Sequence, residues 1–349
     1  MLKEKIQHLL TENKLDDLEF TAKLKSLIYE FETDGNEQEP SEDIFNLFHQ
    51  FVTKINNKKL EREFFQSGFK GLDNIIGGFN LGEFIVVGAR PSMGKTQFLL
   101  NIALHVSKSY SVLYFTFDES KQLIMNKIIS TKTGIKIDAI MRHAFSDSEL
   151  EQLKSFESEM KQHQLFINDS FSNSLFSFSL QCEKAVKEDG VKMIIVDYLQ
   201  LMTSNKYKYN RDAEISSITK GLKKIAKQLN VVVIASSQLN RALEQRGGDK
   251  RPILSDLRES GAIEMDADKV FFLYRPDYYG FSQDVDGCDT WNKLEIIIAK
   301  NKVGIIDSTF LKFNNKLTSI IDLDENDSTI INQSKGFNFS QTKLDELEF

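Results

Sequence analysis

Cysteine is almost absent from this 349-residue chain, which has only Cys182 and Cys288. They form no C-x-x-C pair, so the sequence carries neither a disulfide framework nor a thiolate zinc site, and it fits a reducing compartment. The five histidines, His8, His49, His105, His143 and His163, form no metal-spaced set. Long hydrophobic runs are missing as well. None approaches the roughly 18–20 apolar residues that span a bilayer, and no leader-like segment opens the sequence. The expectation is a cytoplasmic protein with no membrane partner.

Positive charge is also in deficit. A formal charge of −7 argues against a nucleic-acid partner until it is divided along the chain. Residues 1–63 carry 9 basic and 14 acidic side chains, and residues 322–349 carry 2 and 7. The middle therefore holds 33 basic against 30 acidic groups, a balance of +3, and is free to present a local basic groove. The acidic ends are candidate handles for a protein partner.

What is present is a strand, a phosphate loop and a helix in succession: GEFIVVGARPSMGKTQFLLNIALHV (82–106). Phosphate at such a junction faces backbone N–H groups at the positive end of a helix dipole. Arg90, Ser92, Met93, Gly94, Lys95, Thr96 and Gln97 make up the candidate nucleotide-binding set. Lys95 is placed to reach the β- and γ-phosphates, and the Thr96 hydroxyl to ligate Mg²⁺. The strict loop pattern asks for Gly at position 89, where this chain has Ala89, with Gly88 one place early. Ser92 and Lys95 also spell S-x-x-K, but no S-D-N or K-T-G accompanies them, which excludes the penicillin-binding reading.

From Phe64 to about Asp322, strand-like runs (83–88, 112–117, 165–168, 193–197, 231–236, 269–274, 294–299, 308–313) alternate with helical stretches near 96–108, 120–132, 147–162, 176–188 and 212–229. That alternation predicts an α/β domain with a mainly parallel central sheet. A small helical arm precedes it. Phe20, Leu24, Leu27, Ile28 and Phe31 form one apolar stripe; Ile44, Leu47, Phe48, Phe51, Val52 and Ile55 form a second. The second stripe either packs on its own domain or docks on a neighbouring subunit. The expected division is 1–40 helical segment, 41–63 linker helix, 64–322 catalytic domain and 323–349 acidic tail. KLDELEF (343–349) nearly repeats KLDDLEF (14–20), by chance or because both address one groove.

Three strand ends carry candidate chemistry. MIIVDYLQLM (193–202) puts Asp197 where a carboxylate can hold the Mg²⁺ water shell beside Thr96. VLYFTFDES (112–120) ends in Asp118 and Glu119, either able to polarise an attacking water. VVVIASSQLNR (231–241) ends with Gln238, an amide able to report on γ-phosphate. Each has a plainer reading as a solvated strand end.

The blocks GFKGLDNIIGGFNLGEFIVVGARPSMGKT (68–96), DYLQLM (197–202), SQLNRALEQR (237–246) and RPILSDLRESGAIEMDADKVFFLYRPDYY (251–279) resemble, in order and spacing, the C-terminal motor domain of DnaB-type replicative helicases over roughly 64–315. Ala89 fits that family's loop. The resemblance implies a RecA-like ATPase assembled as a homo-oligomeric, usually hexameric, ring, with ATP and Mg²⁺ between subunits, single-stranded DNA in the pore and 5′→3′ movement. It makes Lys95, Thr96 and Asp197 the phosphate and magnesium residues and Gln238 the γ-phosphate sensor. Arg258, Glu259 and Gly261 become the DNA-contacting loop, touching backbone rather than bases.

Three departures stand out. Asp118 occupies a position usually held by Glu, one methylene longer, so Glu119 remains an alternative. Lys300 and Lys302 occupy positions where the family has Lys and an arginine finger, and lysine lacks the bidentate fork. The 63-residue arm is shorter than the family's primase-recruiting collar, and helix 41–57 falls where the family has a linker helix that packs on the adjacent motor domain. The expectation is an ATP-dependent helicase or single-strand translocase. Its rivals are a RecA-like ATPase that binds DNA without unwinding it, as a recombination or defence-system component, and a non-catalytic ATP-binding adaptor; the acidic ends would be handles for a replication or defence partner.

Overall fold

The computed structural model describes Leu24 and residues 43–56, 64–170, 173–204, 210–257, 260–283, 289–314 and 318–323. The rest of the first apolar stripe, both KLD[DE]LEF copies, Cys288, Arg258 and Glu259 lie outside the described residues. The chain divides into two units, Met1–Arg62 and Glu63–Phe349. In the first, helix α1 (Ile44–Asn56) forms over the second apolar stripe. Its Ile44, Phe45, Leu47 and Phe48 are exposed.

The second unit begins with a short antiparallel pair, β1 (Phe64–Phe65) and β2 (Phe79–Asn80), around helix α2 (Lys70–Ile76). A nine-stranded sheet follows. Its parallel strands are β3 (Phe84–Ala89), β4 (Val112–Thr116), β5 (Leu165–Asn168), β6 (Met193–Asp197), β7 (Val232–Gln238) and β8 (Lys269–Tyr274). The antiparallel strands β9 (Lys293–Asn301), β10 (Ser308–Phe313) and β11 (Ile320–Asp322) extend one side, giving the order β11-β10-β9-β8-β3-β7-β6-β4-β5. Among the described residues the crossovers and loops contribute α3 (Lys95–Val106), α4 (Lys121–Thr133), α5 (Ile137–Met141), α6 (Asp147–Met160), α7 (Leu175–Asp189), α8 (Arg211–Gln228), α9 (Ala242–Gln245) and α10 (Ser260–Asp266).

Strand periodicity builds two cores. Ile85 and Val87 of β3 and Met193 and Ile195 of β6 face one layer with Phe98, Leu99 and Ile102 of α3. Phe84, Val86, Ile194 and Val196 face the other, against Ile215, Ile218 and Leu222 of α8. Strands buried on both faces read as continuous apolar runs, which is why they were visible in the sequence. Ser120, Ser146, Ser174 and Asn210 cap α4, α6, α7 and α8 with side-chain oxygens.

Register then fixes the site. Ala89 pairs with Gln238 across β3 and β7, and Thr116 with Asp197 across β4 and β6. The phosphate loop, the Asp118–Glu119 turn, Asp197 and Gln238 therefore leave the same, carboxyl edge of the sheet. That edge is where ligands of open α/β sheets bind.

Candidate nucleotide-binding site

The loop turns from β3 into α3 through Gly94, whose φ of 87° is left-handed and strained for any other residue. A Cβ there would stand 2.7 Å from Cζ of Phe313. The early glycine has its own cause. A Cβ on Gly88 would meet the Phe272 ring at 2.8 Å, whereas the methyl of Ala89 is buried in the core. Packing therefore demands glycine at 88 and tolerates alanine at 89.

A cleft of about 540 Å³ opens over this loop, lined among others by Lys95, Thr96, Asp118, Glu119, Asp197 and Gln238. Thr96 Oγ1 donates to Asp197 Oδ2 at 2.8 Å. The same carboxylate is held from below by two fully buried hydroxyls, Tyr114 OH on Oδ2 at 3.0 Å and Ser236 Oγ on Oδ1 at 2.5 Å. Burial, and then the charge of Asp197, push the Tyr114 phenol far above its usual value, so it is a proton donor here. These contacts pre-aim one Asp197 oxygen and the Thr96 hydroxyl at a common point. A hard cation takes oxygen ligands of these kinds, so the pair fits Mg²⁺. No cluster of three or more His, Cys, Asp or Glu suited to a metal exists among the described residues.

Lys95 lies with its ammonium 4.9 Å from the centre of the Tyr198 ring. Burial lowers its pKa, opposed by the charges of Asp197 and Asp118. Asp118 is exposed to the cleft and makes no hydrogen bond among the described residues. Glu119 is engaged: Lys127 of α4 donates to both its carboxylate oxygens, at 2.6 Å for Oε2. Its backbone is tied to Thr116 Oγ1 in both directions. Gln238 lines the cleft while its N–H donates to Gln200 Oε1 at 3.2 Å.

Other members of the sequence-derived set sit differently. Met93 is buried in the core because its apolar chain fills the space beneath the loop, so it presents no side chain to the cleft. Arg90 lines the cleft, but its guanidinium is held by Glu244 (2.9 Å) and the Leu239 carbonyl (2.9 Å). The Gln97 amide donates to Thr131 Oγ1 and the Thr318 carbonyl. Ser92 adopts a positive φ of 65° at the turn. Gly261 is exposed on α10, with open space where a Cβ would be.

Lys300 and Lys302 are not in the cleft. Asn301 pairs with Lys269 at the amino end of β8, which is level with Ile85. Four strand residues, about 13 Å at ~3.3 Å each, separate that level from Ala89. Lys300 donates to the Glu264 carbonyl, and Lys302 to Asp268 Oδ1 at 3.0 Å.

Residues missed in the sequence are Tyr114, Ser236, Lys127, Tyr198, Arg275 and Phe313. Arg275 stacks 4.8 Å from the Phe313 ring and is fixed by Asp277. Its position just after β8, in the RPDYY block, was the one available signal. Tyr114 and Ser236 read as ordinary strand residues until register brings them under Asp197.

A phosphate loop between a strand and a helix, with a Thr–Asp pair at its head on the carboxyl edge of a mainly parallel sheet, defines a P-loop nucleotide-binding domain. Over residues 65–322 the chain matches the DnaB-like helicase C terminal domain family, and it belongs to that family. It is 36% identical over 284 residues to the replicative DNA helicase DnaB of Geobacillus stearothermophilus, covering 80% of this chain and 61% of that one. It is 38% identical over 250 residues to a probable plasmid replicative DNA helicase of Chlamydia psittaci, covering 71% and 53%. Among the solved structures similar to it are two that span most of this chain. One is a DnaB-like replicative helicase described with its primase interactions (31% identity, TM-score 0.71, 93% of this chain and 75% of that one). The other is an ATPase domain (33%, TM-score 0.73, 81% and 100%). The fold is thus RecA-like. The chain spans about three fifths of the length of the curated DnaB and DnaC relatives it matches.

Proposed function

We infer that the protein is an ATP-dependent DNA helicase or single-strand translocase that works as a homo-oligomeric ring, by family a hexamer moving 5′→3′. The observation that carries this reading is the convergence of Lys95, Thr96, Asp197 and Asp118 on one cleft of a DnaB-like motor domain.

Backbone N–H groups of the loop and the Lys95 ammonium hold the phosphates of ATP and stabilise charge that develops on the γ-phosphoryl oxygens. Thr96 and Asp197 would hold Mg²⁺, which when bound neutralises charge on the β- and γ-phosphate oxygens. Asp118 accepts a proton from water as its oxygen bonds to the γ-phosphorus. The bond to the β-phosphate oxygen breaks, and its electron pair leaves on ADP. Gln238 hydrogen-bonds the γ-phosphoryl group and links its presence to β7 and the loop beyond.

The position of Lys300 and Lys302 supports a two-protomer site. Both stand at the edge of the sheet opposite their own cleft, so a contact with phosphate requires the cleft of a neighbouring copy. Arg258, Glu259 and Gly261, around the start of α10, are the proposed DNA loop. Contacts to phosphate rather than bases give binding without sequence preference, which translocation needs.

The test is steady-state ATP hydrolysis with and without single-stranded DNA, with Lys95→Ala as the blank, followed by strand displacement on a forked duplex. DNA-stimulated turnover with displacement supports a helicase. Stimulation without displacement restricts the protein to translocation or binding, and no turnover above the blank refutes the enzyme reading.

A further inference from the structure

Two adjacent carboxylates, Asp118 and Glu119, reach the cleft from one turn. We propose that Lys127 is a positioning residue that sequesters the Glu119 carboxylate and so leaves Asp118 as the group that accepts the proton. The inference rests on the hydrolysis reading above and deepens it.

The geometry is specific. Lys127 projects from the second turn of α4 and lines the cleft, yet its ammonium is given to both Glu119 oxygens. Lysine and glutamate are both about three-quarters buried, with side-chain exposures of 23% and 24%. Neither is therefore a freely rotating surface group. α4 is itself fixed at this level: Thr131, one turn on, donates to the Lys127 carbonyl and receives the Gln97 amide from the first turn of α3. The pair is thus braced against the helix that carries Lys95.

Charge around the turn agrees. The Asp118 carboxylate acts on Lys95 and on Tyr198, which brackets it with the groups that surround the phosphates. The facing charges are Lys95 from α3, Asp197 from β6, Lys127 from α4, Arg275 after β8 and Arg90 after β3, the last held by Glu244. Without Lys127, Glu119 would add an uncompensated negative charge to a cleft that must admit a triphosphate. A paired Glu119 adds none. Removing one partner of a largely buried pair leaves the other charge stranded, whereas removing both leaves a neutral site. This asymmetry makes the role testable.

The experiment measures kcat and KM for ATP in the full chain with single-stranded DNA present, for Asp118→Asn, Glu119→Gln, Lys127→Met, Lys127→Arg and the double variant Lys127→Met/Glu119→Gln. Asp118→Asn should lose about 10²-fold or more in kcat, the scale of a general base. Glu119→Gln should lose less than about tenfold. Lys127→Met should lose about tenfold or more in kcat/KM, Lys127→Arg should retain most of it, and the double variant should return to within about threefold of wild type. A merely structural lysine would not be rescued by changing Glu119. A double variant as poor as Lys127→Met overturns the proposal and makes Lys127 a direct phosphate ligand. Glu119→Gln as poor as Asp118→Asn overturns it by making Glu119 the base. Wild-type turnover no higher than Lys95→Ala would refute the hydrolysis reading, and this assignment with it.

Discussion

On the proposed reading Asp197 does two separable things, and a pair of substitutions should pull them apart. It is 6% exposed and accepts from Thr96, Tyr114 and Ser236, the last two fully buried. Asp197→Ala strands both buried hydroxyls at about 1–3 kcal/mol each, a gross loss of about 2–6 kcal/mol. Relief of a buried charge returns part of this. The net expectation is a destabilisation of about 2–4 kcal/mol. Asp197→Asn keeps an oxygen acceptor, and one hydroxyl can rotate to accept from the new amide, so its cost should be near 1 kcal/mol. It removes the charge, so hydrolysis should still fall by about 10²-fold or more. Urea unfolding of the nucleotide-free protein gives the first quantity and steady-state turnover the second. If the alanine variant is no less stable than the asparagine variant, the hydroxyl network does not depend on this carboxylate and the reasoning fails.

Other expectations follow from the two edges of the sheet. Burial of Asp268 would raise its pKa, but hydrogen bonds from Lys223, the Phe84 amide and Lys302 together hold it below the usual carboxylate value. Its contribution to stability is therefore complete above about pH 4 and lost as pH falls through its depressed folded pKa. Unfolding free energy followed from pH 5 to pH 3 should fall less steeply in Asp268→Asn; an unchanged slope would count against the pair. Lys302→Ala should cost under about 1 kcal/mol, because the Lys302 side chain is 44% exposed and Asp268 keeps its bonds from Lys223 and the Phe84 amide. Mixing Lys302→Ala with Lys95→Ala protomers should restore turnover that neither has alone, since hybrid interfaces pair an intact cleft with an intact lysine. No recovery on mixing would sink the two-protomer site. Gly94→Ala should abolish nucleotide binding, seen by calorimetry, because φ is left-handed there and Phe313 fills the space.

The strands and long helices were legible because each repeats one physical signal over many residues. β3, β6 and β7 are buried on both faces and read as unbroken apolar runs, and α8 shows its stripe through Ile215, Ile218, Leu222 and Ile225. Short elements were not. α2, α5, α9 and α10 have only four to seven residues each, too few for a period to show. β11 is three residues long and exists because β10 offers it an edge. The site followed the same rule. Lys95, Thr96 and Asp197 announce themselves by their place in a motif. Tyr114, Ser236, Lys127 and Phe313 act through register and packing, which bring together residues up to about 200 apart in the chain. Met93 shows the converse: its place in the loop motif suggested ligand contact, but its apolar side chain fills core space instead.

The arrangement also explains why a lysine can stand where an arginine is expected without being idle in the lone chain. Asp268 at the amino end of β8 holds Lys302, and Lys300 satisfies a carbonyl at the end of α10. α10 begins at the proposed DNA loop, and Thr219 of α8 grips its Asp266 at 2.6 Å. In the proposed ring, a movement of that loop would reach Lys300 through this one seven-residue helix. Lys300 and Lys302 both belong to the segment proposed to meet a neighbour's phosphates. In the proposed ring the DNA loop and the trans lysines are thus joined by a path through α10, and the bonds at its far end are ones that ring closure would have to exchange. Lysine, with three rotatable donors rather than a planar fork, is suited to such exchange. Lys302→Arg is accordingly expected to raise DNA-stimulated turnover and to lower its dependence on DNA. A rise in the DNA-free rate equal to that in the stimulated rate would show that a stronger trans contact leaves the path unchanged, whereas no rise in either would place the trans group elsewhere.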